Sequence, residues 1–188
     1  MGVFYRSDNV DRLSPAGWDE LRAAGVRTIV DLRQIWERDR DVSTRPDWVT
    51  TAAVDLDGLE NQEFWKDYWD NGLCGTPVYY LPHLEAMPER AGSALSAIVS
   101  APPGGVLFHC MSGRDRTGLI AMLLLAAIDV EPDEIVDDYL ESAARDDPSI
   151  EAAFRAALAG LDLPRVLAEG RISDANRSAL LTWRSTTR

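Results

Sequence analysis

Apolar and polar positions along the chain switch between a helical and a strand period. Ser14-Pro15 sets a capping hydroxyl before a proline at the first helical position, and Gly25 stands where a C′ glycine closes that helix. The β-branched run over 26–32 predicts a buried strand, and 49–56 predicts a second. Residues 57–82 are the least regular part, with Phe64, Trp65, Tyr68, Trp69, Tyr79 and Tyr80 scattered among Gly, Asn and Pro. A helical pattern over 84–99 ends at Ala101-Pro102-Pro103-Gly104-Gly105. Val106-Leu107-Phe108 is a short apolar run, and helix-like sequence resumes at Thr117. Three further helices are predicted over 132–144, 149–159 and 173–183, the last with Ser173 as its cap. Strands separated by helices, followed by a helical end, predict an α/β fold with a mainly parallel sheet covered on both faces.

Composition narrows the class. The 188 residues suit a single domain over 1–188 with a real core. Lys+Arg is 19 against Asp+Glu 31, a formal net charge of −12, so the surface repels polyphosphate backbones and no nucleic-acid partner is expected. The longest apolar run, over 119–128, is half of what a bilayer requires, so no stable membrane insertion is expected. No basic segment followed by an apolar stretch opens the chain, and Arg6 stands where a myristoylation motif after Gly2 needs Ser or Thr. Cys74 and Cys110 do not make a disulfide framework, and Cys74 reads as an inert thiol in a Gly-rich turn. These features together suggest a cytoplasmic protein.

The chemistry is concentrated in His109-Cys110-Met111-Ser112-Gly113-Arg114-Asp115-Arg116-Thr117-Gly118, between a predicted strand and a predicted helix. A run of free backbone N–H groups at a helix N-terminus favours a thiolate and equally a phosphate dianion. Gly113 permits a backbone conformation that a Cβ resists. Arg116, six positions after Cys110, is able to return over the turn and grip two phosphate oxygens in a planar fork. The Thr117 hydroxyl is placed to hydrogen-bond the sulfur and help release it.

This Cys-x5-Arg-Thr spacing resembles the cysteine-dependent protein tyrosine phosphatases. More narrowly, it is similar to the bacterial tyrosine and dual-specificity group whose loop reads His-Cys-x-x-Gly-Lys-Asp-Arg-Thr-Gly. Tyr5-Arg6-Ser7, the 13–25 segment, Val30-Asp31-Leu32-Arg33 and the stretch from Leu119 through Asp137-Asp138-Tyr139-Leu140 also look alike. The resemblance implies a phosphatase-like central sheet flanked by helices. It implies phosphomonoester hydrolysis through a phosphocysteine on Cys110, with a phosphorylated protein or small phosphomonoester as substrate and no metal or cofactor. Met111, Ser112, Gly113, Arg114, Asp115 and Arg116 are the implied phosphate-binding residues, and His109, Thr117 and Asp31 the supporting ones.

Arg114 departs from the group's Lys, replacing a point charge by a fork. An opening Asn-Phe-Arg-Asp-like segment is missing before Tyr5, so the start is short or lies upstream. For the proton donor, Asp57 beside Gly58 aligns best, Asp55 follows, and Asp115 inside the loop is the rival. His109 is expected to orient the loop, Asp31 and Arg33 to brace it, and His83 to be an exposed helix-start residue. The 64–80 aromatics are read as a lid over the phosphate site, and Asp137-Asp138 and Asp146-Asp147 as solvated faces. A phosphoinositide phosphatase, a phosphopeptide-binding module without turnover, and sulfurtransfer or arsenate reduction through Cys74 are the alternatives.

Overall fold

The structure is a computed structural model that describes residues 3–143 and 147–183. Four parallel strands, β1 (Phe4–Ser7), β2 (Val26–Asp31), β3 (Thr50–Ala53) and β4 (Gly105–His109), form a sheet of order β1-β4-β2-β3. All five residues of β4 are buried, as a central strand with both faces covered requires. Its carboxyl end delivers Cys110, where open α/β sheets place their ligands.

Side-chain alternation sends the sheet's two faces into two cores. Ile29 and Leu107 pack with Val10, Trp18 and Val26 beneath α1 (Pro15–Ala23). The Ser14 hydroxyl caps that helix by accepting from Gly17 N at 3.2 Å, and Gly25 closes it at φ +86°. Val30, Val106 and Phe108 face the larger core, whose centre is α6 (Asp115–Ala127). Leu119, Ile120, Met122 and Leu123 of α6 are fully buried, so the long apolar run of the sequence is an enclosed helix. Around it lie α4 (Tyr80–Ala86), α5 (Pro88–Val99), α7 (Pro132–Leu140), α8 (Pro148–Ala159), α9 (Leu163–Glu169) and α10 (Asp174–Trp183). Among the described residues no helix is long and apolar enough to cross a membrane.

Several boundaries differ from expectation. The single helix read over 84–99 is two, because Pro88 lacks the N–H to continue α4 and starts α5 instead. The irregular 57–82 stretch contains α3 (Gln62–Asp70), capped by Asn61, whose carboxamide oxygen accepts from Phe64 N at 3.2 Å. The strand over 49–56 shrinks to β3, and α7 ends at Leu140, with residue 144 of that expected helix outside the described residues. Neither β1 nor α9 was legible, each being too short to show a period.

Candidate active site

The turn from β4 into α6 is built by tying its carbonyls to the scaffold. His109 O accepts from Leu32 N at 2.9 Å, Met111 O from Asn9 N at 3.1 Å and Arg114 O from Gly118 N at 2.7 Å. Gly113 O accepts from Arg6 Nη2 at 3.2 Å, and the Cys110 carbonyl meets His109 Nδ1 at 2.9 Å. The described hydrogen bonds draw on none of the amides of residues 111–114 and 116. With carbonyls held outward, those N–H groups form an anion-binding concavity at the N-terminus of α6. Gly113 makes the turn possible at φ +67°, where a Cβ would stand 2.7 Å from Ser7 O and Asp8 N. Cys110 is buried at the floor, while Met111 and Ser112 are exposed at the rim.

Arg116 leans over this concavity, held from its far side. Its Nη1 donates to Glu37 Oε2 at 2.5 Å and Asp57 Oδ2 at 3.0 Å, and its Nη2 to Glu37 Oε1 at 2.9 Å. Burial opposes the guanidinium's charge, but Glu37, Asp57 and Cys110 outweigh it and hold Arg116 more firmly protonated than usual. Glu37 itself is 5% exposed, and although burial works against its charge, Arg116 keeps it below the ordinary carboxylate range. It comes from the single turn α2 (Ile35–Arg38), whose Gln34 N donates back to Glu37 Oε2 at 3.0 Å as one half of a capping box. Sequence reasoning missed Glu37; its one signal, the Gln34-x-x-Glu37 spacing, reads only as a helix start.

Asp57 stands beside Arg116, with Trp65 Nε1 donating to its backbone carbonyl at 2.9 Å. Burial raises its carboxyl above the ordinary range, outweighing Arg116 and Gln34. Asp55, near Asp57, is bound away from Arg116: its Oδ1 accepts from Gly58 N at 3.2 Å, and its Oδ2 is 3.5 Å from Arg90 Nη1. Asp115 is also raised by burial, but both its oxygens meet Arg114, at 3.1 and 3.3 Å. Arg114 spends its other contact on Gly75 O at 3.2 Å.

Behind the turn is a second charged network. Arg33 donates to both oxygens of Asp31, at 2.9 and 2.8 Å, and to both of Asp41, at 2.8 and 2.6 Å. Arg45 Nη2 reaches Asp31 Oδ2 at 2.6 Å, and His109 Nε2 is 3.5 Å from that oxygen. Since a carbonyl only accepts, His109 Nδ1 carries a proton toward Cys110 O, which orients the ring. Burial opposes Asp31's charge, but Arg33, His109 and Arg45 hold it well below the carboxylate range.

Three expectations are corrected. His83 is not exposed: it is 1% exposed, its ring packed against Phe64, Trp65 and Tyr79, because α4 turns it into the aromatic cluster. Within that cluster Trp65 is 2% exposed and Trp69 45% exposed. Asp138 is not merely solvated, since Arg6 Nη1 donates to it at 2.5 Å; Asp146 lies outside the described residues. The Thr117 hydroxyl is buried and meets no hydrogen-bond partner, the sulfur included. Cys74 is an exposed free thiol.

The chain is 34% identical over 145 residues to a tyrosine-protein phosphatase of Nostoc commune, covering 75% of this chain and 48% of that protein. It is 29% identical over 172 residues to the triple specificity protein phosphatase PtpB of Mycobacterium tuberculosis, covering 75% of this chain and 61% of that one. It thus spans about half to three fifths of the length of these relatives. The sequence profile of the tyrosine phosphatase family matches residues 1–181, which takes in every strand and the whole turn with its arginine, and the chain belongs to that family.

Proposed function

We propose that this chain hydrolyses phosphomonoesters, phosphotyrosine foremost, through a phosphocysteine on Cys110. The observation that carries the reading is the cup whose carbonyls at 109, 110, 111, 113 and 114 are engaged by the scaffold while its amides stay available around a buried cysteine. The amides of residues 111–114 and 116 would take the equatorial phosphoryl oxygens, where charge gathers in the transition state. Arg116 adds a fork: its described bonds to Glu37 and Asp57 leave the Nε–H and one Nη2–H for two phosphate oxygens. Glu37 therefore need not let go when substrate arrives.

In the first step the Cys110 thiolate attacks phosphorus, the P–O bond to the leaving group breaks, and Asp57 gives that oxygen a proton. In the second, water attacks the phosphocysteine, Asp57 takes its proton, and the S–P bond breaks to return the thiolate and free phosphate. Asp57 suits this role better than Asp55, bound toward Arg90, or Asp115, whose oxygens both face Arg114. Burial keeps Asp57 protonated to higher pH than an ordinary carboxyl, so turnover of poor leaving groups falls as pH rises past that raised value. Arg114 is half neutralised by Asp115, which favours phosphotyrosine over a polyphosphorylated inositol ring. His109 and Asp31 support the turn from behind. In the same reading residues 1–188 act as one cytoplasmic domain, with Cys74 and Cys110 as free thiols.

The test is turnover of phosphotyrosine and of aryl phosphates. Cys110→Ser is expected to retain phosphotyrosine-peptide binding and release no phosphate. Asp57→Asn is expected to lower kcat for phenyl phosphate about 10²-fold and for p-nitrophenyl phosphate far less. Tight capture with no phosphate released by the wild-type chain would instead favour a binding module. Loss of activity in Cys74→Ser would favour a resolving-cysteine chemistry.

A further inference from the structure

Asp57 has two carboxylate oxygens, and they are not equivalent. Trp36 Nε1 donates to Gln34 Oε1 at 2.6 Å, and Gln34 Nε2 donates to Asp57 Oδ2 at 3.0 Å. Arg116 Nη1 donates to the same Oδ2 at 3.0 Å. An indole N–H only donates, so Trp36 can face nothing but the carbonyl end of the Gln34 carboxamide. That turns the amide's N–H₂ end toward Asp57. Oδ2 then faces two donors, neither able to accept a proton there, and must stay bare when the carboxyl is protonated. Both described hydrogen bonds to this carboxylate fall on Oδ2.

We propose that Gln34 and Trp36 are positioning residues that fix the transferable proton of Asp57 on Oδ1. The inference rests on the reading of Asp57 as proton donor. Donor polarity runs one way, from indole to carboxamide to carboxylate, and ends at the oxygen that does not react. Trp36 is suited to set it from outside: its ring is 47% exposed and lies 4.9 Å from the Arg40 guanidinium, so its position does not depend on the core. Gln34, 6% exposed, is the buried link. Because Gln34 and Glu37 flank one turn of α2, a four-residue element aligns both the acid and the phosphate clamp.

The experiment compares phenyl phosphate, a poor leaving group, with p-nitrophenyl phosphate across a pH series, using the full chain. The charged and titratable groups facing Asp57 are Arg116, Glu37, Asp55, Tyr79 and His83, and all stay unchanged. Gln34→Met is expected to cut kcat for phenyl phosphate about tenfold more than for the nitrophenyl ester. It also moves the basic limb to higher pH, since a donor favouring the carboxylate is gone. Trp36→Phe keeps a ring at the surface while freeing the amide to flip, and is expected to give the same pattern at about threefold. In an Asp57→Asn background neither change retains its dependence on leaving group. Equal losses on both esters with an unmoved basic limb would overturn the relay while leaving the acid assignment intact. An Asp57→Asn enzyme equally active on both esters would overturn the acid assignment and the relay with it.

Discussion

Two guanidinium–carboxylate networks flank the same turn, one behind it and one over its mouth. Behind, Arg33 is fully buried and commits four hydrogen bonds to two carboxylates, with Arg45 and His109 closing around Asp31. Over the mouth, Arg116 keeps its Nε–H and one Nη2–H uncommitted, and Asp57 takes its donors on one oxygen alone. Both sets are charged and largely buried, so burial and charge do not separate a brace from a reactive group. Residual hydrogen-bonding capacity does. Arg33 keeps a single Nη1–H without a described partner, too little for a fork, whereas Arg116 keeps two donors side by side with somewhere to put a phosphate.

The comparison breaks cleanly if each arginine is removed in turn. Arg116→Met should cost about 10⁴–10⁶-fold in kcat/KM, since two donors to the phosphoryl oxygens are lost at about 10²–10³ each. It should also lower the denaturant midpoint, because Glu37 and Asp57 lose a largely buried partner, so turnover is the readout that separates the two variants. Arg33→Met should lower stability by about 3–5 kcal/mol in urea unfolding because Asp31 and Asp41 lose a buried partner. Its folded fraction should turn over substrate nearly as the parent does. If Arg33→Met folds normally and loses turnover, the network behind is part of the chemistry and the contrast fails.

Acid titration sharpens the same contrast. Arg33, His109 and Arg45 hold Asp31 well below the ordinary carboxylate range, so its stabilisation is fully present above that range and is lost progressively as pH falls below it. Asp31→Asn should flatten the acid side of the stability curve. Asp57 has the opposite sign: its raised carboxyl favours the fold when protonated, and that contribution fades as pH rises through the raised value. Gly113→Ala should cost at least about 1–2 kcal/mol in stability from the positive φ, with the cost of moving the Ser7 and Asp8 backbone added to it. The Cβ pressing on Ser7 and Asp8 should also weaken inhibition by inorganic phosphate, read as a raised inhibition constant.

Much of this site is local and therefore readable in one dimension. The strand over 105–109, the turn, Cys110, Gly113, Arg116 and the following helix lie within two dozen residues, and the chemistry demands those residue types at that spacing. Asp57 was singled out for a different reason, through the resemblance and its place after a strand and before Gly58. Glu37 was not: it meets Arg116 across 79 positions, in a segment whose own sequence reads as an ordinary capped turn. Gln34 and Trp36 were missed likewise. His83 was misjudged because its helix began earlier than the pattern suggested, and that changed which face it presents. Asp138 looked like solvated charge until the fold brought Arg6 to it across 132 positions.

The amino-acid order by itself determined the reactive turn, since adjacent φ/ψ preferences, one glycine and a helix start are enough to shape a cup of amides. It also pointed to a parallel sheet, because segments long enough to cross over separate the strands, although the one between β2 and β3 holds only the four-residue α2. Only the tertiary structure decided which carboxylates surround the arginine, which aspartate stands at the mouth, and which of its oxygens is left bare. Those choices depend on contacts between segments that share no local signal, and a carboxylate carries no mark of its partner until packing removes the water that would otherwise solvate it.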